Sequence, residues 1–341
     1  MSVSLPVHNP DPNTPLLELK SVSKSFTVQQ AGLLQKWLAI PAVNSVSLQL
    51  QRGETVGLVG ESGCGKSTLA RLCALLYKPD SGQILLGDTP MTGLSQRQLR
   101  GYRRRVQLVF QDPYAALNPR LPVSAILTEP LTLQRWGKRA QRRARAAELL
   151  TAVGLDEAAL DRYPHEFSGG QRQRIAIARA LVLEPELIIA DESVSALDVS
   201  VQSQILNLLA DIKAQRGLAY LFISHDLAVV EHLADRVAVM YLGRIVEFAP
   251  RDELFAVPAH PYTRALIAAI PAIQTGGKRR FGMPIGDVPS PLNPPPGCPY
   301  HTRCPKAQAI CIQQRPRLTQ TPGRPAVHQV ACHFPESVPS C

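Results

Sequence analysis

The chain has 341 residues, which is long for one average domain and predicts a domain of about 250 residues with an appendix. Its net charge of +10 suits nucleic acid, an anionic membrane surface or anionic ligands, and does not choose among them. Since it has neither an apolar run of about 18 residues nor a basic leader followed by an apolar core, we expect no transmembrane helix and no secretory signal.

Two stretches near the start, residues 16–28 and 43–50, alternate apolar and polar side chains as exposed antiparallel strands do. Residues 29–41 between them are predicted to form a loop with one short amphipathic turn. Phe26 lies ahead of the glycine-rich segment described next, where an aromatic ring can stack on adenine. A ring packed into the protein core fits that position equally well.

A glycine-rich segment at residues 60–68 follows the apolar run 56–59 and opens a helix predicted over 66–77. Its free backbone N–H groups can wrap a phosphate, and the positive end of the helix dipole faces the same anion. In such loops the lysine, here Lys66, reaches the β- and γ-phosphates, and the hydroxyl of Ser67 holds Mg²⁺. The predicted nucleotide-binding residues are Gly60, Glu61, Ser62, Gly63, Cys64, Gly65, Lys66, Ser67 and Thr68.

The next part of the chain predicts a turn, a strand, a basic helix and a short buried strand, at residues 79–82, 83–86, 95–105 and 106–110. A mainly helical insert with proline-rich joints follows, and its many arginines suit a nucleic-acid patch. A solvated helix face is the commoner explanation, and no RNP-like aromatics or zinc-finger spacing accompany the run.

A second predicted anion site precedes the apolar-periodic helix at residues 175–183. Ser168 can cap that helix, while Gly169 and Gly170 let backbone N–H groups approach a phosphate closely. Gln171 completes this short segment. The chain therefore has two segments suited to phosphate binding.

Two carboxylates end the apolar strand predicted at residues 187–192. Because consecutive side chains at a strand end point to opposite sides, Asp191 can hold the magnesium shell through water while Glu192 acts as general base. Residues 195–198 then turn into a helix at 201–216. His225 follows the buried strand 218–223 at the same sheet edge as Glu192, and we interpret it as a γ-phosphate contact, although a lone histidine is usually structural.

These segments together resemble the motif set of ABC ATPases, each motif occurring once and in the family's order. The matches are residues 60–68 with the Walker A loop, Gln111 with the Q-loop, residues 168–171 with the signature, residues 187–191 with Walker B, Glu192 with the catalytic glutamate, residues 195–198 with the D-loop and His225 with the switch histidine. The resemblance implies that Glu192, His225 and Gln111 serve catalysis. It also implies that Ser67, Gln111 and Asp191 hold Mg²⁺, and that Asp198 and the signature residues bind the nucleotide.

The finer resemblance is to the ATP-binding subunits of bacterial dipeptide and oligopeptide permeases. It rests on residues 111–113, 117–120, 162–165, 260–263 and 289–298. One departure is Ser193-Val194 after Glu192, where the family usually has a proline, and its loss relaxes the local restriction on φ.

The resemblance implies an α/β P-loop NTPase with a RecA-like core, an antiparallel β subdomain and a helical insert at about residues 112–170. This ATPase domain is expected over residues 16–270, after a flexible tail at 1–15. A loop-rich, cysteine-containing extension is expected over residues 271–341.

The function implied by this resemblance is ATP-driven import of dipeptides or oligopeptides at the cytoplasmic face of the bacterial inner membrane. The implied partners are a sister ATPase subunit, two transmembrane permeases and, indirectly, an extracytoplasmic peptide-binding protein, with no nucleic acid expected. The signature of one ATPase would close on the γ-phosphate held by the other. Nickel, haem or glutathione are alternative cargoes. An ABC-type ATPase acting on nucleic acid is a further alternative, disfavoured by the single phosphate loop.

Four of the seven cysteines lie at positions 298, 304, 311 and 332, in a tail (271–341) that holds 14 of the 30 prolines. Such a loop-rich tail needs an added constraint to fold. Four thiolates suit an iron–sulfur cluster or structural zinc, and the wide spacings disfavour zinc. The family resemblance implies a [4Fe–4S] cluster on Cys298, Cys304, Cys311 and Cys332, with Zn²⁺ and free cysteines as alternatives.

Overall fold

The computed structural model describes residues 14–30, 36–110, 112, 116–194, 197–270, 286–320, 324 and 327–336. Its strands form two sheets. In chain order they are β1 (Leu17–Gln30), β2 (Lys36–Leu50), β3 (Thr55–Val59), β4 (Ser81–Leu86), β5 (Thr89–Pro90), β6 (Val106–Val109), β7 (Leu187–Asp191), β8 (Ala219–Ile223), β9 (Arg236–Tyr241), β10 (Arg244–Pro250), β11 (Thr319–Gln320) and β12 (Gln329–Val330).

The α-helices lie on both sides of the larger sheet and in the insert. They are α1 (Lys66–Cys73), α2 (Gln96–Arg105), α3 (Val123–Leu133), α4 (Arg139–Ala152), α5 (Gly169–Leu181), α6 (Val199–Arg216), α7 (Leu227–Leu233), α8 (Arg251–Ala256), α9 (Pro261–Ala268) and α10 (Ala309–Gln313). None of the helices described is long and apolar enough to cross a lipid bilayer.

The larger sheet has the strand order β11-β12-β10-β9-β3-β8-β7-β6, and the strands from β9 to β6 run parallel. Strands β3, β7 and β8 are buried along their whole length, as their near-continuous apolar sequences require. Ile223 of β8 lies opposite both Leu58 of β3 and Asp191 of β7. The carboxyl ends of these strands therefore meet at one edge, where open α/β sheets bind ligands.

The smaller sheet is antiparallel with the order β2-β1-β4-β5, which confirms the predicted β subdomain. The predicted loop at residues 29–41 is wrong for residues 29–30, which belong to β1, and for residues 36–41, which belong to β2, while residues 31–35 lie outside the described part of the chain. Pro41, the last residue of the predicted loop, pairs with Ser25 of β1. Since β2 is an edge strand, a residue without an N–H donor is tolerated there.

The helical insert packs through buried apolar side chains of α3, α4 and α5, among them Leu127, Leu149 and Ile175. Its arginines are partly neutralised within the chain. Arg143 pairs with Asp161 at 2.8 Å, and Arg145 pairs with both Glu148 and Glu184. Two arginines of the basic run on α4 are thus paired with acids of the same chain.

The C-terminal extension shares the core of the ATPase in its described part. Strand β12 pairs with β10 and so joins the larger sheet, and Tyr300 and Cys311 pack in the core cluster of that sheet. His328 and Glu247 are fully buried together, with Nε2 and Oε1 2.8 Å apart. The extension is therefore built onto the sheet that also carries the phosphate loop.

Candidate nucleotide-binding site

The loop between β3 and α1 is shaped by glycines that no other residue can replace without movement. Gly65 has φ +108, and a Cβ built there would lie 2.1 Å from the carbonyl oxygen of Ala42. A Cβ on Gly60 would lie 2.2 Å from the carbonyl oxygen of Met240. The loop backbone is therefore packed against β2 and β9 and is available to approach a ligand.

Lys66 starts α1 and is 4% exposed, so its ammonium group is held inside the loop. Nζ donates to the carbonyl oxygens of Gly60 at 2.8 Å and Glu61 at 3.0 Å. These are neutral acceptors, and a buried cation is stabilised far more by an anion. Lys66 is therefore a centre of positive charge within the loop that suits a phosphate.

Ser67 and Asp191 meet at the site, as the sequence predicts for two groups that share one magnesium ion. Ser67 Oγ donates to Asp191 Oδ1 at 3.0 Å. Burial raises the pKa of Asp191, the Ser67 hydrogen bond opposes this shift, and the nearby Glu192 charge adds to it. A hydroxyl and a carboxylate side by side fit the oxygen preference of Mg²⁺. Gln111, the third predicted ligand, lies outside the described residues.

Glu192 follows β7 directly and adopts φ +47, a left-handed conformation uncommon for a residue with a side chain. Its N–H donates to the carbonyl oxygen of Ile223 at 2.9 Å, which fixes the turn against β8. Its Oε2 lies 3.3 Å from Nδ1 of His225, so the predicted placement of both side chains at one sheet edge is confirmed.

A cavity of about 270 Å³ lies over the phosphate loop. Its lining residues are Ala42, Ser62, Gly63, Gly65, Lys66, Ser67, Thr68 and Glu192. The Glu192 carboxylate, which can accept a proton, thus shares a cavity with the buried Lys66 and with Ser67, and Ser67 is hydrogen-bonded to Asp191.

The segment 168–171 forms the start of α5 through a reciprocal cap. Gln171 N–H donates to Ser168 Oγ at 3.3 Å, and Ser168 N–H donates to Gln171 Oε1 at 3.0 Å. A Cβ on Gly170 would lie 2.4 Å from Val201 of α6, so this glycine permits the packing of the two helices. The segment is not among the residues that line the cavity over the phosphate loop, and the exposed side chain of Ser168 faces outward at the surface.

Phe26 and Asp198, two other predicted nucleotide-binding residues, do not line the cavity over the phosphate loop. Phe26 packs edge-on to Tyr77, with ring centroids 5.5 Å apart, and Lys24 Nζ lies 5.9 Å from its ring. Asp198 precedes α6 and is exposed. Ser195 and Ala196, the first residues of the predicted D-loop, lie outside the described residues.

Sequence reasoning missed two side chains that hold the phosphate loop from the C-terminal side. Arg303 donates to both carboxylate oxygens of Glu61, at 2.8 and 2.9 Å, and Tyr262 Oη accepts from the Glu61 N–H at 2.9 Å. Tyr262 lies in the His-Pro-Tyr-Thr segment at residues 260–263. This segment supported the family resemblance, but its sequence alone gave Tyr262 no structural role. Nothing in the sequence around Arg303 points to Glu61.

The four clustered cysteines are free thiols that line one small cavity of about 10 Å³, which has room for about one water molecule. Burial raises the pKa of Cys298 and Cys304, and that of Cys332 to about 12. Within the described ranges, no three histidine, cysteine or acidic side chains are arranged to hold a metal ion. The four thiols therefore line the same cavity, but they are not arranged as metal ligands in the described part of the chain.

Two family models match separate parts of the chain. The family model described as "ABC transporter" matches residues 43–195, and the one described as "Oligopeptide/dipeptide transporter, C-terminal region" matches residues 246–311. The second match begins inside β10, ahead of the predicted domain boundary at residue 271.

Similar proteins span almost the whole chain. The probable peptide ABC transporter ATP-binding protein y4tS of Sinorhizobium fredii is 54% identical over 319 residues, covering 93% of this chain and 89% of the relative. The oligopeptide transport ATP-binding protein AppF of Bacillus subtilis is 50% identical, covering 94% and 97%. Among solved structures, the dimeric post-hydrolysis state of the ATP-binding cassette MJ0796 with ADP and Pi is 31% identical with a TM-score of 0.61, covering 69% of this chain and 98% of that one.

Proposed function

The chain belongs to the ATP-binding proteins of peptide ABC transporters, and on that premise we propose a mechanism in which it hydrolyses ATP, within a two-chain site, to drive peptide import. The observation that carries the proposal is the convergence of Lys66, Ser67, Asp191 and Glu192 at one sheet edge. These residues supply a cation, a magnesium pair and a base, which are the parts that phosphoryl transfer to water requires.

In this mechanism Lys66 turns from the loop carbonyls to the β- and γ-phosphates. Ser67, and Asp191 through water, would hold Mg²⁺, which would supply positive charge to the phosphate oxygens. Glu192 accepts a proton from the attacking water. His225, 3.3 Å from Glu192 at the same sheet edge, would contact the γ-phosphate. Gln111 would contact the same magnesium shell.

We further propose that the signature of a second ATPase completes each site. Ser168 is exposed and does not line the phosphate-loop cavity of its own chain, which supports a role toward a partner. Its N–H-rich helix start suits the γ-phosphate held by another chain, together with Asp198 of the D-loop. We propose a sister ATPase as that second chain, and hydrolysis is thereby coupled to dimer closure.

The membrane partners are proposed to be two transmembrane permeases, fed by an extracytoplasmic peptide-binding protein, with the ATPase at the cytoplasmic face of the bacterial inner membrane. An apolar cavity of about 210 Å³ beside the insert supports a docking place for a permease segment. It is lined by Leu76, Phe110 and Leu117, and the first two are 49% and 40% exposed. Closure of the ATPases would move this surface and the docked permease.

Purification tests this assignment against the nucleic-acid alternative. We expect the tagged chain, expressed with its neighbouring genes, to co-purify from detergent-solubilised membranes with two permeases and to show ATPase activity that peptide-loaded binding protein stimulates. Tight duplex DNA binding that weakens steeply with salt, with no membrane subunit retained, would contradict the importer assignment. If nickel-, haem- or glutathione-loaded binding protein stimulates the ATPase instead, the chain is still an importer ATPase but the transported substrate is not a peptide.

The extension is proposed to bind a [4Fe–4S] cluster through Cys298, Cys304, Cys311 and Cys332. The donor set fits such a cluster by its chemistry, because four thiols face one cavity. The cavity would have to widen as the thiols move outward. A single Zn²⁺ is the weaker alternative, because structural zinc sites usually space paired cysteines two to four residues apart and the spacings here are wider.

Anaerobic purification tests the cluster. We expect a brown protein with broad visible absorption, about four iron and four sulfide per chain, and loss of the colour in Cys304→Ala. The control is Cys73→Ala on α1, a buried cysteine away from this group, which should keep the colour. A colourless protein carrying about one zinc per chain would establish the alternative, and a metal-free protein would contradict both.

A further inference from the structure

The second residue of the phosphate loop, Glu61, is a carboxylate placed next to a site for a polyanion. Its side chain is not among those that line the cavity over the loop. Instead both oxygens accept from Arg303 of the C-terminal extension, 242 positions along the chain, in a bidentate pair. The negative charge is thus directed into the extension and away from the phosphates.

The arginine is rigidly placed. Its side chain is 5% exposed, and its guanidinium lies 5.7 Å from the ring of Tyr300 and 6.0 Å from that of Tyr241. It ends the 3₁₀ turn His301–Arg303, in which the His301 N–H donates to the Cys298 carbonyl oxygen at 3.1 Å. The cysteine segment therefore acts as the scaffold that presents Arg303.

The loop backbone is fixed at the same residue. The Glu61 N–H donates to Tyr262 Oη, and its carbonyl oxygen accepts from Lys66 Nζ. One residue of the loop is thus connected to the extension by its side chain, to α9 by its N–H, and to the phosphate-binding lysine by its carbonyl.

We infer that Arg303 is a positioning residue for nucleotide binding. It acts through Glu61, whose carboxylate it neutralises and holds away from the bound phosphates. The inference deepens the proposed function and rests on it, since it concerns the same ATP site. Without Arg303, an unpaired carboxylate would be free at the edge of a site that binds a triphosphate, and affinity would fall by charge repulsion.

Nucleotide affinity of the full-length chain tests this inference, measured calorimetrically with MgATP and MgADP. We expect Arg303→Ala to weaken MgATP binding about tenfold, as one unpaired charge near the phosphates would, and MgADP binding less. The loss should shrink as salt rises, because screening weakens repulsion between partly exposed charges. Arg303→Lys keeps the charge without the bidentate geometry and should restore part of the affinity.

Removal of both partners distinguishes charge from folding. Glu61→Ala removes the carboxylate and keeps the loop backbone, so the double variant Glu61→Ala with Arg303→Ala should recover most of the affinity that Arg303→Ala loses. Arg324→Ala is the matched control, because Arg324 is a buried arginine of the extension that donates to the carbonyl oxygens of Val257 and Glu336 rather than to the loop. It should lower stability and leave affinity unchanged.

Three results would overturn the inference. They are native affinity in Arg303→Ala, a defect that Glu61→Ala does not relieve, and an equal defect in Arg324→Ala. If Arg303→Ala does not fold, the lysine variant and the double variant still decide the question. A native chain that fails to bind MgATP would instead contradict the proposed function, so the two failures are distinguishable.

Discussion

Replacement of Glu192 by glutamine is expected to abolish steady-state ATP hydrolysis while leaving ATP binding intact. The amide keeps the size and hydrogen-bonding reach of the side chain but cannot accept the proton of the attacking water. General base catalysis is worth about 100- to 10,000-fold, and we expect a loss of kcat within this range. Because the product is not formed, the closed two-chain state should accumulate with ATP, which size-exclusion chromatography with MgATP measures.

Glu184→Gln is a matched control for this variant. Glu184 lies just before the same strand, β7, is exposed, and also has a left-handed backbone, with φ +51 against +47 at Glu192. Its carboxylate is 63% exposed, and its ion-pair partner Arg145 also pairs with Glu148 and lies in the insert, away from the predicted catalytic residues. The control should therefore hydrolyse ATP at the native rate. Retained turnover in Glu192→Gln would exclude the general-base role.

The parts of the site that could be predicted from sequence are those in which local pattern and chemistry coincide. The glycine-rich loop could be predicted because it lies directly between an apolar strand and a helix in the sequence. The two acids could be predicted because they directly follow an apolar strand. The meeting of Asp191 with Ser67 also follows, since the carboxyl ends of parallel strands share one edge. His225 beside Glu192 follows for the same reason.

The contacts that escaped prediction depend on how distant parts of the chain pack. Arg303 and Glu61 are 242 positions apart, and neither has a local signal that names its partner. The extension looked separate because prolines and cysteines dominate its sequence, whereas β12 joins the main sheet through only two residues, too few to show periodicity. The loop predicted up to Pro41 is part of an edge strand, where a proline is tolerated, and the order of strands in a sheet is a tertiary property.

Substitution of Ser168 by alanine should remove most of the ATPase activity and leave nucleotide binding by the isolated chain unchanged. Ser168 does not line the cavity that lies over the phosphate loop, so we expect one chain to bind ATP without it. Its hydroxyl would act only when a partner's γ-phosphate approaches. Loss of one preorganised donor to a developing charge costs about 100-fold in kcat, and we expect that loss in the assembled transporter, measured as peptide-stimulated phosphate release.

The substitution also removes a helix cap, and the chain contains a second serine that separates the two effects. Ser95 starts α2 with the same reciprocal arrangement, in which Gln98 N–H donates to Ser95 Oγ at 3.4 Å and Ser95 N–H donates to Gln98 Oε1 at 3.0 Å. Both variants should lose about 1 kcal/mol of stability, since each loses one serine cap. Only Ser168→Ala should lose activity. Equal activity in the two variants, or full hydrolysis by a strictly monomeric Ser168→Ala chain, would mean that each chain completes its own site and that closure on a partner is not part of the chemistry.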